Sequence, residues 1–350
     1  MELDLDTFLV TVYCVVDELY QEQCAADKPR RRGKRPELSD SEVLTLTVLA
    51  QWQAQRSERA FLRYAVAHWR GYFPRLLSQS AFNRRARDVW GALCRIGPLV
   101  AQRVQETLGA GSAYQVVDCV PVALLRRCRG ERHKLFTNEA AIGHGGSDDD
   151  WYYGVQLLLC VDAAGLITGF VYGPADTDDR WLAEALWRWR RAPLAPQPTP
   201  EQLASLLGKP KNKGGARKGP SGPIAPRWGA GSPEATPYLV DLGFAGEHWQ
   251  AHWRRGYGAE VVTKRDFQAL LPDHDPEQVA SAHASLRQVV ETVNDWLTAL
   301  LGLSFPKAHT AWGLTTRLAA KVAAFNLARL ANALHSRPPF AHLNPLELAA

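Results

Sequence analysis

Three acidic residues carry the chemistry this chain could perform: Asp118, Asp241 and Glu291. The first two lie in very apolar runs, YQVVDCVPV (114–122) and PYLVDLGFAG (237–246). The third lies in a segment of helical period, ASLRQVVETVNDWL (284–297). A carboxylate on a buried strand is costly unless something pairs with it. Two such strands and an acidic helix suggest carboxylates converging on a divalent metal. Metals held that way neutralise a phosphodiester and its entering and leaving oxygens. Mg2+ prefers hard oxygen ligands and keeps some waters, so few carboxylates suffice. Arg287 stands one turn before Glu291 (291 − 287 = 4), placed to orient it or to touch a phosphate. Each residue also has an ordinary reading. Asp118 could end a strand ahead of Pro121, Asp241 could turn the chain ahead of Gly243, and Glu291 with Arg287 could be a surface pair. The spacing alone leaves both readings open.

The elements that must position these residues fall into two stretches. Residues 1 to about 110 read as helical. Leu5, Leu9, Val12, Val15, Val16 and Leu19 recur at helical spacing. Ser39 and Glu42 fit a capping box opening a helix with Val43, Leu44, Leu46, Leu49 and Trp52. A third helix, around SQSAFNRRARDVWGAL, carries Arg84, Arg85 and Arg87. An arginine-rich helix on a small helical domain suits a DNA groove, although a surface helix with solvated arginines reads the same way. From Ala113 the character changes. YQVVDCVPV is apolar on both faces, as a covered central strand would be. WYYGVQLLLCVD and LITGFVYGP flank a turn at 162–165 and read as a hairpin. DDRWLAEALWRWRR reads as a helix burying Leu182, Ala185, Leu186 and Trp189. Residues 192–236, rich in Pro, Gly and Lys/Arg, read as an inserted flexible basic loop. PYLVDLGF and AEVVTKRDF supply two more strands, and helices are expected over 284–301 and 314–334. This order predicts an α/β unit, 111–350, with a mixed sheet and helices on both faces, preceded by a helical domain, 1–110.

Composition narrows the class. The 350 residues are 46% apolar and 22% charged, which is ordinary for a globular protein. No uninterrupted apolar run reaches membrane-spanning length, and the start of the chain lacks the pattern of a signal peptide. The net charge is modest, 41 − 36 = +5, but the basic residues cluster at 28–35, 126–134 and 209–218. Such clusters either neutralise phosphates or stay solvated. Six scattered cysteines form no CxxC pair and read mostly as buried thiols. His133, His144, His248 and His309 read as polar contacts rather than ligands. Trp181, Trp187 and Trp189 read as packing residues rather than base-stacking platforms.

Taken in order, these segments resemble a bacterial insertion-sequence transposase of the DDE type, with a ribonuclease-H-like catalytic domain. The resemblance covers most of the chain. YQVVDCVPV resembles the strand of the first aspartate and VDLGFAG the element of the second. GHGGSDDDWYYGVQLLLCVDAAGLITGFVYGPADTDDR is similar to the strands and helix start between them. RQVVETVNDWL resembles the helix of the catalytic glutamate, with Arg287 in the usual place. LSDSEVLTLTVLAQ and SAFNRRARDVW look like the helical DNA-binding part. The resemblance implies that Asp118, Asp241 and Glu291 are the catalytic, metal-binding acids, with Mg2+ as the cofactor and Mn2+ as a substitute. It implies an endonuclease that cleaves the terminal inverted repeats of its own insertion element and joins them to target DNA, acting as a homodimer on double-stranded DNA. It also implies a cytoplasmic, nucleoid-associated protein with no membrane contact. Lys264 and Arg265, at a strand end near the expected site, are the expected phosphate contacts after Arg287. Two alternatives stand beside this: a DNA-binding protein of transposase descent that does not cut, and a ribonuclease-H-like nuclease without strand transfer. The chain departs from the pattern at Ala284 and Thr298, where some relatives carry Tyr and Lys. It departs again at Leu242, where many relatives have a basic residue.

Overall fold

Ser39 and Glu42 exchange both hydrogen bonds of a capping box, 3.1 Å and 2.6 Å, and so fix where a helix starts. That helix, α2 (Asp40–Leu49), is one of five in the first hundred residues described by this computed structural model. The others are α1 (Leu5–Gln23), α3 (Glu58–His68), α4 (Gln79–Asp88) and α5 (Trp90–Leu108). The structure describes residues 3–27, 36–52, 57–108, 113–130, 136–145, 150–190, 225–229, 236–345 and 347–348. The expected basic cluster at 28–35 lies outside them.

By contact the chain divides into two units: Met1–Ala110 with Trp296–Ala350, and Gly111–Asp295. The last helix of the chain therefore belongs with the first unit. That helix, α11 (Ala311–Leu334), packs along α5. The approach is close at Gly97, where a Cβ would meet Val322 Cγ1 at 2.8 Å. The Asn326 side-chain amide donates to the Gly97 carbonyl at 2.7 Å, beside Pro98, which has no N–H of its own to give.

The arginine-rich helix α4 is only partly a surface. Arg84 and Arg87 are exposed, but Arg85 turns inward. It pairs with the buried Asp40 at 2.7 Å and donates to the Leu38 carbonyl at 3.0 Å, while the Tyr20 hydroxyl holds the other Asp40 oxygen. Arg85 is therefore a structural ion pair rather than a DNA contact.

Among the described residues the second unit is built on one mixed sheet of seven strands, flanked by helices. Its strands are β1 (Gln115–Arg126), β2 (Ala141–Gly145), β3 (Asp150–Asp162), β4 (Ile167–Pro174), β5 (Ala225–Gly229), β6 (Tyr238–Val240) and β7 (Val261–Val262). The order is β5-β4-β3-β1-β6-β7, with β2 on β3. The β1, β3, β4 and β5 neighbours pair antiparallel; β1, β6 and β7 run parallel. The expected hairpin is present, its turn closed by the Asp162 carboxylate accepting from Leu166 N–H at 2.7 Å. The stretch 192–236 is not simply a loop. Residues 225–229 pair with β4 and satisfy an otherwise open strand edge; the basic centre of the stretch lies outside the described residues.

Helices α7 (Asp179–Arg190) and α8 (Glu247–Tyr257) cover one core, with Val117, Leu158, Leu186, Trp187, Tyr238, Val240 and Trp253 at its centre. The buried face of α7 is rotated from the expected one: Trp189 is exposed, while Glu184 is buried. The reason is polar. Glu184 accepts from Trp253 Nε1 at 3.0 Å and from the Tyr257 hydroxyl, and pairs with His252 at 2.9 Å. Trp181 and Trp187 pack as expected. Three cysteines, not most of the six, are buried: Cys24, Cys94 and Cys160. Three helices complete the described set: α6 (Arg127–Gly130), α9 (Lys264–Leu270), and α10 (Pro276–Ala299), which starts eight residues before the expected 284 (284 − 276 = 8). Among the described residues no helix is long and apolar enough to cross a membrane.

Because Arg85 is buried against Asp40, Arg85→Ala leaves an unpaired buried carboxylate. It should destabilise the protein by about 3 kcal/mol, whereas Arg84→Ala should stay within about 0.5 kcal/mol. Urea unfolding midpoints of the two variants check this.

Candidate functional site

Register places the two aspartates. On the parallel pair β1 and β6, Val117 is opposite Val240, so the next residues, Asp118 and Asp241, stand at one level. Neighbouring strands lie about 4.8 Å apart, which brings the two backbones close enough for the carboxylates to share a partner. Alternation along β1 turns Val117 and Cys119 to the core and Asp118 to the other side of the pleat. Asp241 opens a short 3-10 turn (Leu242–Phe244), where the strand has already ended.

The shared partner is Arg287. One guanidinium nitrogen lies 3.5 Å from Asp118 Oδ1, and another lies 3.5 Å from Asp241 Oδ1. The arginine and Asp118 are largely covered, 17% and 23% exposed, whereas Asp241 is 59% exposed. Burial pushes the Asp118 carboxyl up to about 6, although the Arg287 charge beside it pulls the other way. The negative charges of Asp179 and Asp241 add to the rise.

Asp179, absent from the expected site, is thus part of it. It is the first residue of α7, and burial raises its carboxyl too. Gln156 donates to its Oδ1 at 2.7 Å, and the Cys119 thiol bonds to it. Gly243 makes room: a Cβ there would fall 2.9 Å from Asp179 Oδ2. The sequence offers one signal, the acid pair Asp178–Asp179 at a helix start, a place where an acid also serves as a cap. In fact Asp178 holds Arg180 at 2.8 Å.

His283 was also missed. It lies one turn before Arg287 on α10 and is 3% exposed, with no hydrogen-bond partner for Nε2. Burial, then the nearby Arg287, lowers its pKa, so the ring is neutral at pH 7. Lys264 lies close enough to weigh on the same ring. Lys264 and Arg265 are exposed; they follow the end of β7 by one residue, as expected, and open α9, with Thr263 and Asp266 forming its capping box.

Glu291 is in place on α10 but is not joined to the aspartates. It is exposed, one turn beyond Arg287, and makes no hydrogen bond or ion pair among the described residues. Among those residues no group of three or more His, Cys, Asp or Glu is arranged to hold a metal ion. Asp118 and Asp241 are the pair that could share a cation, and Arg287 now stands between them. No model of a known protein family, no curated protein and no solved structure matches the chain.

The raised Asp118 has a consequence for stability. Its folded pKa, about 6, lies above the ordinary 3.8, so the folded chain holds the extra proton between those values. Stability therefore falls as pH rises through about 4 to 6, and Asp179 contributes in the same direction. Asp118→Asn should remove its share and stabilise the protein at pH 7 by about 1–2 kcal/mol. Thermal unfolding of both proteins from pH 4 to 7 checks this. The midpoints should converge at pH 4 and separate as pH rises.

Proposed function

We propose that the chain is a DDE-type DNA transposase, whose sheet unit is a ribonuclease-H-like catalytic domain and whose first hundred residues bind DNA. The observation that carries the reading is the placing of Asp118, on β1, level with Asp241, the residue after the parallel strand β6, with Arg287 between them. The mixed sheet flanked by helices is the architecture this reading calls for, and the carboxylates offer the hard oxygen donors that Mg2+ prefers. In this reading Asp118, Asp241 and Glu291 would hold Mg2+, or Mn2+ in its place, once Glu291 turns in, and the metal would supply charge neutralisation at the phosphodiester and an activated water.

The chain's own residues have defined tasks. Asp118 must give up its proton to act as a ligand, and its raised pKa makes that step pH-dependent. Arg287 must leave one or both aspartates, and the scissile phosphate is the natural new partner for its guanidinium. Asp179, held by Gln156, keeps negative charge close to the pair without joining Arg287. Lys264 and Arg265 face solvent beside this region and would steady the flanking backbone. Cleavage of the element's terminal inverted repeats and joining to target DNA would need two ends held together, hence a homodimer on DNA.

One observation favours a second reading, a DNA-binding protein of the same descent that no longer cuts. Arg287 occupies the place between the aspartates, and Glu291 is turned out. Activity separates the two. With Mg2+ or Mn2+ the full chain should nick duplex carrying the element's ends, and chelation should stop it. Asp118→Asn should lower the rate by at least about 100-fold, the scale of losing one electrostatic contact at a reacting phosphate, while duplex binding is kept. Cleavage by that variant at the wild-type rate would sink the assignment. Products joined to a target duplex would separate a transposase from a simple nuclease.

A further inference from the structure

Charge is concentrated on α3, α4 and the turn between them. Residues 57–90 hold seven arginines, no lysine and two acids, so 7 − 2 = +5, which equals the net charge of the whole chain. Arg85 is inside, paired with Asp40. The other six, Arg59, Arg63, Arg70, Arg75, Arg84 and Arg87, are exposed. One of the two acids, Glu58, is already engaged by Asn83 at 2.6 Å and Arg317 at 3.7 Å. Arg59 and Arg63 make no ion pair among the described residues. Like charges gathered this way repel one another and raise a positive field that a polyanion relieves.

A groove of ≈ 530 Å³ lies within this patch, between α3 and the start of α4. Arg59 and Arg63 line it from α3, one turn apart on the same helix face (63 − 59 = 4), and Gln79 and Ser80 line it from α4. Leu62 and Val66 supply apolar lining.

We infer that this groove seats the phosphate backbone of a DNA duplex, with Arg59 and Arg63 each on a phosphate and Gln79 and Ser80 donating beside them. The planar arginine fork matches phosphate bidentately, and the patch uses arginine alone. A lipid surface is a poorer fit. It selects one helix with a basic face and an apolar face, whereas these arginines spread over two helices and a turn. The inference rests on the DNA-handling reading but not on the carboxylates, so it survives if the protein proves unable to cut.

The test is binding of a fluorescent mixed-sequence duplex to the full chain in EDTA, across a salt series. Neutralising two phosphate contacts with Arg59→Gln/Arg63→Gln should make the slope of log affinity against log salt shallower by about 2. Affinity at ~0.1 M salt should fall by at least about 10-fold. Arg59→Lys/Arg63→Lys should keep most of the slope while binding more weakly, because charge stays and the fork is lost. Unchanged melting temperatures would show that all variants fold. A Gln variant with wild-type slope and affinity overturns the groove but leaves the DNA reading standing. A wild-type chain that binds no duplex overturns both.

Discussion

Two carboxylates brought to one level, one on β1 and one just past the end of β6, with a single guanidinium to serve both, form the constraint on which the sheet unit turns. The parallel register of β1 and β6 leaves Asp118 and Asp241 no way to avoid each other. Asp241 escapes part of the cost by facing solvent, but Asp118 is largely covered and cannot. One arginine divided between two acids at 3.5 Å compensates neither fully, and Asp118 answers by gaining proton affinity. Asp179 adds a third negative charge, fixed by Gln156 and Cys119 and given room by Gly243. A fold that only needed stability would replace such a cluster with apolar side chains. The cluster keeps negative charge that Arg287 offsets only in part.

The helical unit uses arginine in two opposite ways on one short helix. Arg85 is drawn in to neutralise Asp40 and thereby ties α4 to α2, with Tyr20 of α1 on the same carboxylate. Arg84 and Arg87 flank it in sequence and point outward. The helical repeat makes this division unavoidable, since successive residues are turned by about 100°. The outward arginines add to those of α3 and of the turn, so the exposed field belongs to the pair of helices and not to α4 alone.

Much of the fold was legible because its elements are locally consistent. The capping box at Ser39, the Asp162 turn and the apolar runs of β3 and β4 each announce themselves within a few residues, and each formed as expected. Element ends were less legible. The expected start of α10 missed its first two turns because Val279 is their one buried large aliphatic residue, so no apolar stripe marks them. Strand β5 was hidden in a stretch whose composition reads as loop, since an edge strand needs only a partner's open hydrogen bonds and not an apolar run. The membership of α11 in the helical unit was hidden too, because nothing local to a helix states which partner it packs on.

The sequence by itself determined which residues could do chemistry, that Asp118 lies on a strand and Asp241 in a short apolar run, and that Arg287 precedes Glu291 by one turn. These follow from residue type and from the periods of strand and helix, which are properties of neighbouring residues. Only the tertiary structure decided that Arg287 bridges both aspartates, that Asp179 and His283 stand beside them, and that Arg85 is buried while Arg59 and Arg63 are not. Those facts depend on strand register and on which helix faces meet, and such pairings join residues far apart in the chain. A one-dimensional pattern carries no term for them: the charge on Asp118 is set by residues 61 and 169 positions away (179 − 118 = 61; 287 − 118 = 169).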